Sequence, residues 1–431
     1  MGDLQADATV LLQRLIRHNT VNPPGNEGPL QRELAADLQA AGFEVTLVGA
    51  SAERPNLIAR LRGTADGPSL GLLSHVDTVL AKAHEWDHDP WCGDVIDGEL
   101  WGRGALDMKS QTAAEVTAAI DLARSGWRPA RGDLLVFVVV DEEVGGELGA
   151  IWLAEHHPDL IRCEALLNEG GGAVIPFDGG RVYGVSVAEK GVFRFTLHTD
   201  GAAGHASNPR LGDNALLKLA PLLQAMADAQ PRYDPTEAPM RLLRELGLGD
   251  DAGRAMAALR ERDPGLALFV EPMLGVTFAP TMASASDKIN VIPSRASIKV
   301  DCRTPPGIGE ETVRQRIAEV LGPDGYAIEF TEQVIGNGSP VETPLMDAIS
   351  GWVEQHDPGA RAVPSILPAF TDSRTWRTAF PDCVAYGFFP MRHATLYESW
   401  PLIHAPNERI DVRDLGFATR FFRDIIQTML G

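Results

Sequence analysis

The chain has 431 residues, 44% of them hydrophobic and 23% charged, which is enough apolar material for a large core and, at this length, for two domains. Its formal charge is −21, from 38 basic and 59 acidic residues. That excludes the partners that reward a basic surface, nucleic acid and anionic membrane. Cys92, Cys163, Cys302 and Cys383 share no short paired spacing, so isolated thiols in a reducing compartment are expected, not a disulfide frame or a zinc knuckle.

Taken in chain order, Leu4, Val10, Leu11, Leu12, Leu15 and Ile16 recur among charges. This predicts an amphipathic helix near 3–18 and not a signal peptide. No stretch approaches the ~20 apolar residues needed to span a bilayer, and a cytoplasmic location is expected. The loop Asn22-Pro23-Pro24-Gly25 precedes a helix near 28–41, strands near 43–49 and 56–63, and the apolar run Leu70 to Val76. A long helix near 108–125 leads to Leu134–Val140, a continuous branched run that suits a strand buried on both faces. Ala165–Leu167 is a further short strand. The alternation predicts an α/β domain with a mostly parallel sheet flanked by helices, a fold that gathers ligands at the carboxyl ends of its strands.

The pattern changes near 187. Strands at Val192–Leu197, Ser297–Arg303 and Tyr326–Val334, with helices at Ala215–Ala227 (kinked at Pro221) and Glu311–Leu321, suit an inserted α+β domain of the split βαβ type. Within it, 236–270 carries helical signals at Met240–Leu246 and Ala252–Arg262, which reads as an insertion. From about 337 the chain returns to the first domain and closes with a helix near 411–430. The expected division is 1–187 plus 337–431 for one domain and 188–336 for the other.

Charged residues stand where apolar runs end: His75 and Asp77 after Leu72-Leu73, Asp107 after Gly102-Arg103-Gly104, Glu142 and Glu143 after Val138-Val139-Val140, and Glu169 after Leu166-Leu167, with His404 near the C-terminus. Burying a carboxylate at a strand end costs several kcal/mol unless it is paired or binds a metal. Single instances suit structural ion pairs; five clusters together suit two metal ions. A balanced two-metal hydrolytic site would give each ion one histidine and one terminal carboxylate, with one shared carboxylate and a shared water. His75, Asp107, Glu143, Glu169 and His404 meet that count. Asp77 lies on the same side of an extended chain as His75 and can accept from its other ring nitrogen. Glu142 and Glu143 point in different directions, so one can bind metal while the other faces the attacking water as general base.

Ser74-His75-Val76-Asp77-Thr78-Val79, Asp89-Pro90-Trp91, the run Asp97 to Lys109, Asp141-Glu142-Glu143-Val144-Gly145-Gly146 and Asn290-Val291-Ile292-Pro293 together resemble the dizinc aminoacylase/carboxypeptidase family. That family includes succinyl-diaminopimelate desuccinylase, acetylornithine deacetylase and the glutamate-releasing carboxypeptidases. The resemblance covers nearly the whole chain in order. It implies two Zn²⁺ per subunit (Co²⁺ and Mn²⁺ share these ligands), held by His75, Asp107 as the bridge, Glu143, Glu169 and His404. It further implies Glu142 as general base, Asp77 as the residue orienting His75, and a cis peptide at Asp107-Met108. His205 would stabilise an oxyanion across a dimer, and Asn290 and Arg303 would hold the substrate's carboxylate or amide oxygen. His404 is preferred over His393 because Ile403 to Glu408 matches the family's last ligand segment. Thr371 to Arg374 resembles a segment preceded in the family by two glycines, replaced here by Ala369-Phe370.

The function implied is hydrolysis of an amide next to a free carboxylate, in an N-acyl amino acid or short peptide, with the inserted domain as lid and homodimer interface. A dipeptidase or aminopeptidase of the same family, and a non-catalytic metal or amino-acid binding protein, are the alternatives. His84, His88, His156, His157 and His356 read as solvated, and Trp86 and Trp91 as packing residues. Gly102-Arg103-Gly104 lacks the lysine–serine pair or fingerprint of a phosphate cradle.

Overall fold

The unbroken apolar run Leu134–Val139 becomes a strand with every residue buried, and Leu70–His75 beside it is buried throughout as well. In this computed structural model, which describes residues 3–431, the two strands pair in parallel. Ala165–Asn168 joins the other edge of Leu70–His75, and Val384–Gly387 extends the parallel core. Antiparallel strands Asn56–Leu61 and Glu44–Val48 flank it on one side, and Gly180–Glu189 and Ala173–Phe177 on the other. Met391–Thr395 and Ala360–Leu367 complete a sheet of ten strands among the described residues. The result is the expected α/β architecture, a mixed sheet with a parallel centre. Residues 1 and 2 of the expected first domain lie outside the described residues.

One face of the sheet is filled by Leu73, Phe137, Val139, Leu166, Trp376 and Phe380. Trp376 is fully buried, packs 5.4 Å from the Phe137 ring and donates Nε1 to the Ile161 carbonyl at 3.1 Å. Truncating an aromatic core residue of this kind costs about 3–5 kcal/mol. On Leu4–Ile16 and Val412–Leu430 the apolar residues fall at helical spacing, and both helices pack against Lys109–Arg124. Among the described residues no helix is long and apolar enough to cross a membrane. Cys163, Cys302 and Cys383 are buried free thiols and Cys92 is half-buried.

Two compact units result. One runs to Val187 and includes Gly338–Ser365 and Thr371–Gly431; the other is Ala188–Asn337 with Ile366–Phe370. The short Ile366–Phe370 segment groups with the second unit because the Lys190 amide donates to the Leu367 carbonyl at 3.1 Å. In that unit Arg295–Thr304 pairs antiparallel with Gly191–Val192, Phe195–Asp200 and Thr277–Ser284, and Ala327–Phe330 adds to Phe195–Asp200. Helices Ala215–Asp228 and Glu310–Leu321 cover its apolar face through Leu219, Leu222, Val313 and Ile317. The segment predicted as an insertion forms helices Glu237–Glu245, Ala252–Arg262 and Pro264–Val270.

One expected strand divides. Val192–Leu197 is interrupted at Phe193-Arg194, because the Arg194 carbonyl turns to accept from the Thr331 and Glu332 amides at 2.9 and 3.3 Å. Its guanidinium meanwhile binds Asp301 and Glu332 at 2.9 and 2.6 Å.

Candidate metal centre

Parallel pairing brings the carboxyl ends of three neighbouring strands to one place, and each delivers charge there. His75 ends Leu70–His75, Glu142 and Glu143 lie in the 3₁₀ turn Glu142–Val144 after Leu134–Val139, and Glu169 follows Ala165–Asn168. Asp107 precedes the helix Lys109–Arg124, and its peptide to Met108 is cis. His404 comes from the far end of the chain, after the turn Trp400–Leu402.

The side chains form two groups that share Asp107. His75, Asp107 and Glu169 offer ligand atoms within 4.8 Å of one another, and so do Asp107, Glu143 and His404. Asp107 Oδ1 lies 3.3 Å from His75 Nε2, while its Oδ2 lies 2.9 Å from His404 Nε2. Glu169 approaches His75 Nε2 to 3.7 Å and Glu143 approaches His404 Nε2 to 3.3 Å. Glu142 belongs to neither group, with Oε2 at 3.9 Å from His75 Nε2.

The electrostatics of this cluster favour cations. Burial raises the pKa of Glu142 and of Glu169 well above the carboxylate range, and neighbouring carboxylates add to it; Glu143 is raised for the same reasons. Hydrogen bonding to Asp107 and Glu143 lifts His404 to about 10, against the opposing effect of burial. Burial disfavours the His75 imidazolium, yet Asp107 and Asp77 outweigh it and raise that pKa well above normal. Against their burial, the imidazoles hold Asp107 below the usual carboxylate range, as His75 does Asp77, so a site in which the three glutamates are driven toward neutrality and both imidazoles toward protonation is short of positive charge. The buried His75 Nε2 has no hydrogen-bond partner although it faces the carboxylates. An imidazole nitrogen so placed, among oxygens on two sides of a shared carboxylate, fits divalent cations with mixed nitrogen and oxygen preference.

Asp77 holds the arrangement from behind. Fully buried, it lies 3.4 Å from His75 Nδ1 through Oδ1, and it accepts the Glu142 and Glu143 amides at 3.2 and 3.1 Å. Asn22, which the sequence marked only as part of a proline turn, donates to both Asp77 Oδ2 and Asp141 Oδ1 at 2.9 and 3.1 Å. Glu408 was also passed over as a functional residue; it accepts from the Leu106 and Asp107 amides. The Thr371 to Arg374 segment sits beside the Glu169 strand, since Asn168 donates to Thr371 Oγ1 and Ser373 Oγ at 3.1 and 3.0 Å. Trp86 and Trp91 pack as expected, under the Arg103 guanidinium at 5.2 Å and the Lys109 ammonium at 5.8 Å.

The remaining three candidates lie in the second unit. His205 and Asn290 are neighbours, because Gly204–His205 pairs with Val291–Ile292 and the Asn290 carbonyl accepts the Ala206 amide at 3.0 Å. His205 is exposed, with Nδ1 2.7 Å from Ser207 Oγ. Arg303 is on a different strand and is already paired, through Nε to Asp301 Oδ1 at 2.7 Å, while its buried Nη1 has no hydrogen-bond partner.

A strand-end cluster of two imidazoles and shared carboxylates in an α/β sheet defines a metal-binding protein. Over residues 71–428 the chain matches the profile of Peptidase family M20/M25/M40. It is 28% identical over 427 residues to a succinyl-diaminopimelate desuccinylase of Xanthobacter autotrophicus, covering 96% of this chain and 97% of that one. Among solved structures, an M20 family metallo-carboxypeptidase from Sulfolobus solfataricus superposes with a TM-score of 0.73 at 16% identity, covering 98% of both chains. The Bacillus subtilis YXEP protein, a dinuclear metal-binding M20 peptidase, superposes at 0.62 and 15% identity over 99% of this chain and 98% of that one. The chain belongs to Peptidase family M20/M25/M40 and is a metal-dependent hydrolytic enzyme.

Proposed function

We propose that the enzyme is a dizinc amidohydrolase that cleaves an amide next to a free carboxylate, in an N-acyl amino acid or a short peptide. The observation that carries this reading is the split of the Asp107 carboxylate. One oxygen faces His75, which groups with Glu169, the other faces His404, which groups with Glu143, and Glu142 stands 3.9 Å from His75 outside both groups. In this reading His75 and Glu169 hold one ion, Glu143 and His404 the other, and Asp107 is shared. When bound, the ions supply Lewis-acid activation of the substrate carbonyl and of water. Glu142 accepts the proton of the attacking water as its oxygen bonds to the carbonyl carbon. It returns that proton to the amide nitrogen as the carbon–nitrogen bond breaks. Its burial, which raises its proton affinity, suits both halves of that exchange. Asp77 keeps His75 and the Glu142 amide in place. His205 is assigned to the developing oxyanion, and Asn290 and Arg303 to the substrate's carboxylate or amide oxygen, a task for which Arg303 exchanges or shares its Asp301 partner.

Relatives named as a desuccinylase and as a carboxypeptidase favour the carboxylate-bearing substrate. The test is amine release by zinc-loaded protein from a panel of N-acyl amino acids and unblocked dipeptides, with a chelated control. Chelator-sensitive cleavage of the acylated set is expected. Cleavage of the unblocked set alone would make the enzyme a dipeptidase, and zinc binding without any hydrolysis would make it a binding protein.

The second unit is also proposed as the interface of a homodimer. Leu216, Leu217 and Leu223 are exposed on the helix Ala215–Asp228, and Thr277–Ser284 is an exposed strand. Apolar side chains on such a face are better covered than solvated. Sedimentation equilibrium is expected to give a dimer of the 46.4 kDa chain, and Leu217→Lys to shift it toward monomer. A wild-type monomer at micromolar concentration would remove this assignment.

A further inference from the structure

We propose that Glu408 is a positioning residue whose carboxylate locks the Asp107 turn to the His404 loop, so that Asp107, Glu143 and His404 are assembled before an ion arrives. The proposal rests on reading that group as a metal site. Glu408 stands four residues after His404 and is fully buried. Its Oε1 accepts the consecutive amides of Leu106 and Asp107 at 2.7 and 3.0 Å, and its Oε2 accepts Arg103 Nη1 at 2.5 Å. The Glu408 carbonyl also accepts the Gly102 amide at 3.0 Å. Every one of these bonds ends in residues 102–107, some three hundred positions earlier in the chain.

The chemistry of the contacts separates this from an ordinary buried ion pair. Arg103 neutralises Glu408 through Oε2, and a buried pair leaves its second oxygen to be satisfied by any donor at hand. Here that oxygen is committed to two successive peptide N–H groups, one of them belonging to Asp107 itself. A carboxylate receiving two adjacent amides fixes the plane of the peptide between them, and hence the direction in which the Asp107 side chain leaves the backbone. At the other end, His404 sits at φ 61, a left-handed conformation uncommon for residues other than glycine. The loop that holds it is anchored at Asn407 and at Glu408. Asn407 exchanges two hydrogen bonds with Asp87 at 2.8 and 2.9 Å, and Glu408 grips the Asp107 turn. Arg103 completes the clamp: it is buried, lies over Trp86 and reaches the Leu80 carbonyl at 3.4 Å. Both terminal nitrogens of its guanidinium are thereby engaged by the protein itself, which gives the arginine of Gly102-Arg103-Gly104 a structural task.

The test is zinc affinity, measured by equilibrium dialysis against a competing chelator at a temperature well below unfolding. Glu408→Gln keeps the shape but replaces one acceptor oxygen by a donor. Because Asp107 is shared, the variant is expected to bind both zinc ions about 10–100-fold more weakly, the usual effect of losing an outer partner of a metal ligand. Because Glu408→Gln strands a buried guanidinium, the double variant R103M/E408L, which removes both charges, is measured in parallel and is expected to show the same weakening of both sites. A purely structural role would lower the melting temperature of the metal-free protein but leave both affinities at wild-type values, and that result in a folded variant overturns the proposal. Hydrogen exchange of the wild type supplies a third reading that needs no variant. The Leu106 and Asp107 amides are expected to be protected in chelator-treated protein as in zinc-loaded protein. Rapid exchange there until zinc is added would mean the turn is not preassembled. Failure of the wild type to bind a second zinc would instead sink the two-metal reading itself, and is distinguishable from both.

Discussion

Glu142→Gln is expected to lower kcat by about 10²–10⁴-fold, the range a general base contributes, while bound metal stays at the wild-type level. Glutamine has nearly the same shape as glutamate and keeps an oxygen in place, so packing at the end of Leu134–Val139 is preserved. What it lacks is the ability to take a proton from water and pass it on. The prediction that metal stays put follows from geometry: Glu142 lies outside both groups that share Asp107, while Glu143 beside it belongs to one of them. Measuring kcat and metal per chain on the same preparation checks both halves. A variant that loses metal along with activity would make Glu142 a ligand, and the proton-transfer role would then need another residue.

Asp107→Ala is expected to lose both metal ions together, with affinity falling by more than the roughly 10–100-fold that an outer partner commands, and to abolish turnover. His404→Ala is expected to lose one and keep the other. The contrast arises because Asp107 presents its two oxygens to different histidines, 3.3 Å from His75 and 2.9 Å from His404, whereas His404 meets only Asp107 and Glu143. Zinc stoichiometry by dialysis and the zinc-dependent rise in melting temperature read the same equilibrium, since a ligand that binds only the native state stabilises it by RT ln(1 + L/Kd), where L is the free ligand concentration. If Asp107→Ala held one ion at wild-type affinity, the carboxylate would not be shared and the two groups would be independent sites.

Much of the site was legible because its residues sit at abrupt boundaries. An apolar strand that ends in His75, Glu142-Glu143 or Glu169 announces a buried charge whatever the rest of the chain does, and parallel pairing of those strands does the gathering. His404 carries no such signal, lying in a turn without a preceding strand, and only the resemblance of Ile403 to Glu408 singled it out. His205, Asn290 and Arg303 rested on resemblance as well. The structure places the first two at one short two-stranded sheet and gives Arg303 a partner, Asp301, that stands only two residues before it.

Several strands left no usable pattern. Thr277–Ser284 is exposed along most of its length and contains Pro280, so nothing alternates; it is a strand because Arg295–Thr304 offers it hydrogen bonds. Val384–Gly387 is only four residues long, too short for periodicity, and exists because Ala165–Asn168 templates it.

Local composition thus decided which segments are helices and buried strands, and which of them end in charge, since hydrophobic burial and the cost of an unpaired carboxylate act within a few residues. The sharing of Asp107 between two histidines 329 positions apart, the grip of Glu408 on the Asp107 amide and of Asn22 on Asp77, and the break at Arg194 were decided only by tertiary structure. Each depends on hydrogen-bond geometry between segments far apart in the chain, and such geometry exists only once the sheet has brought those segments together.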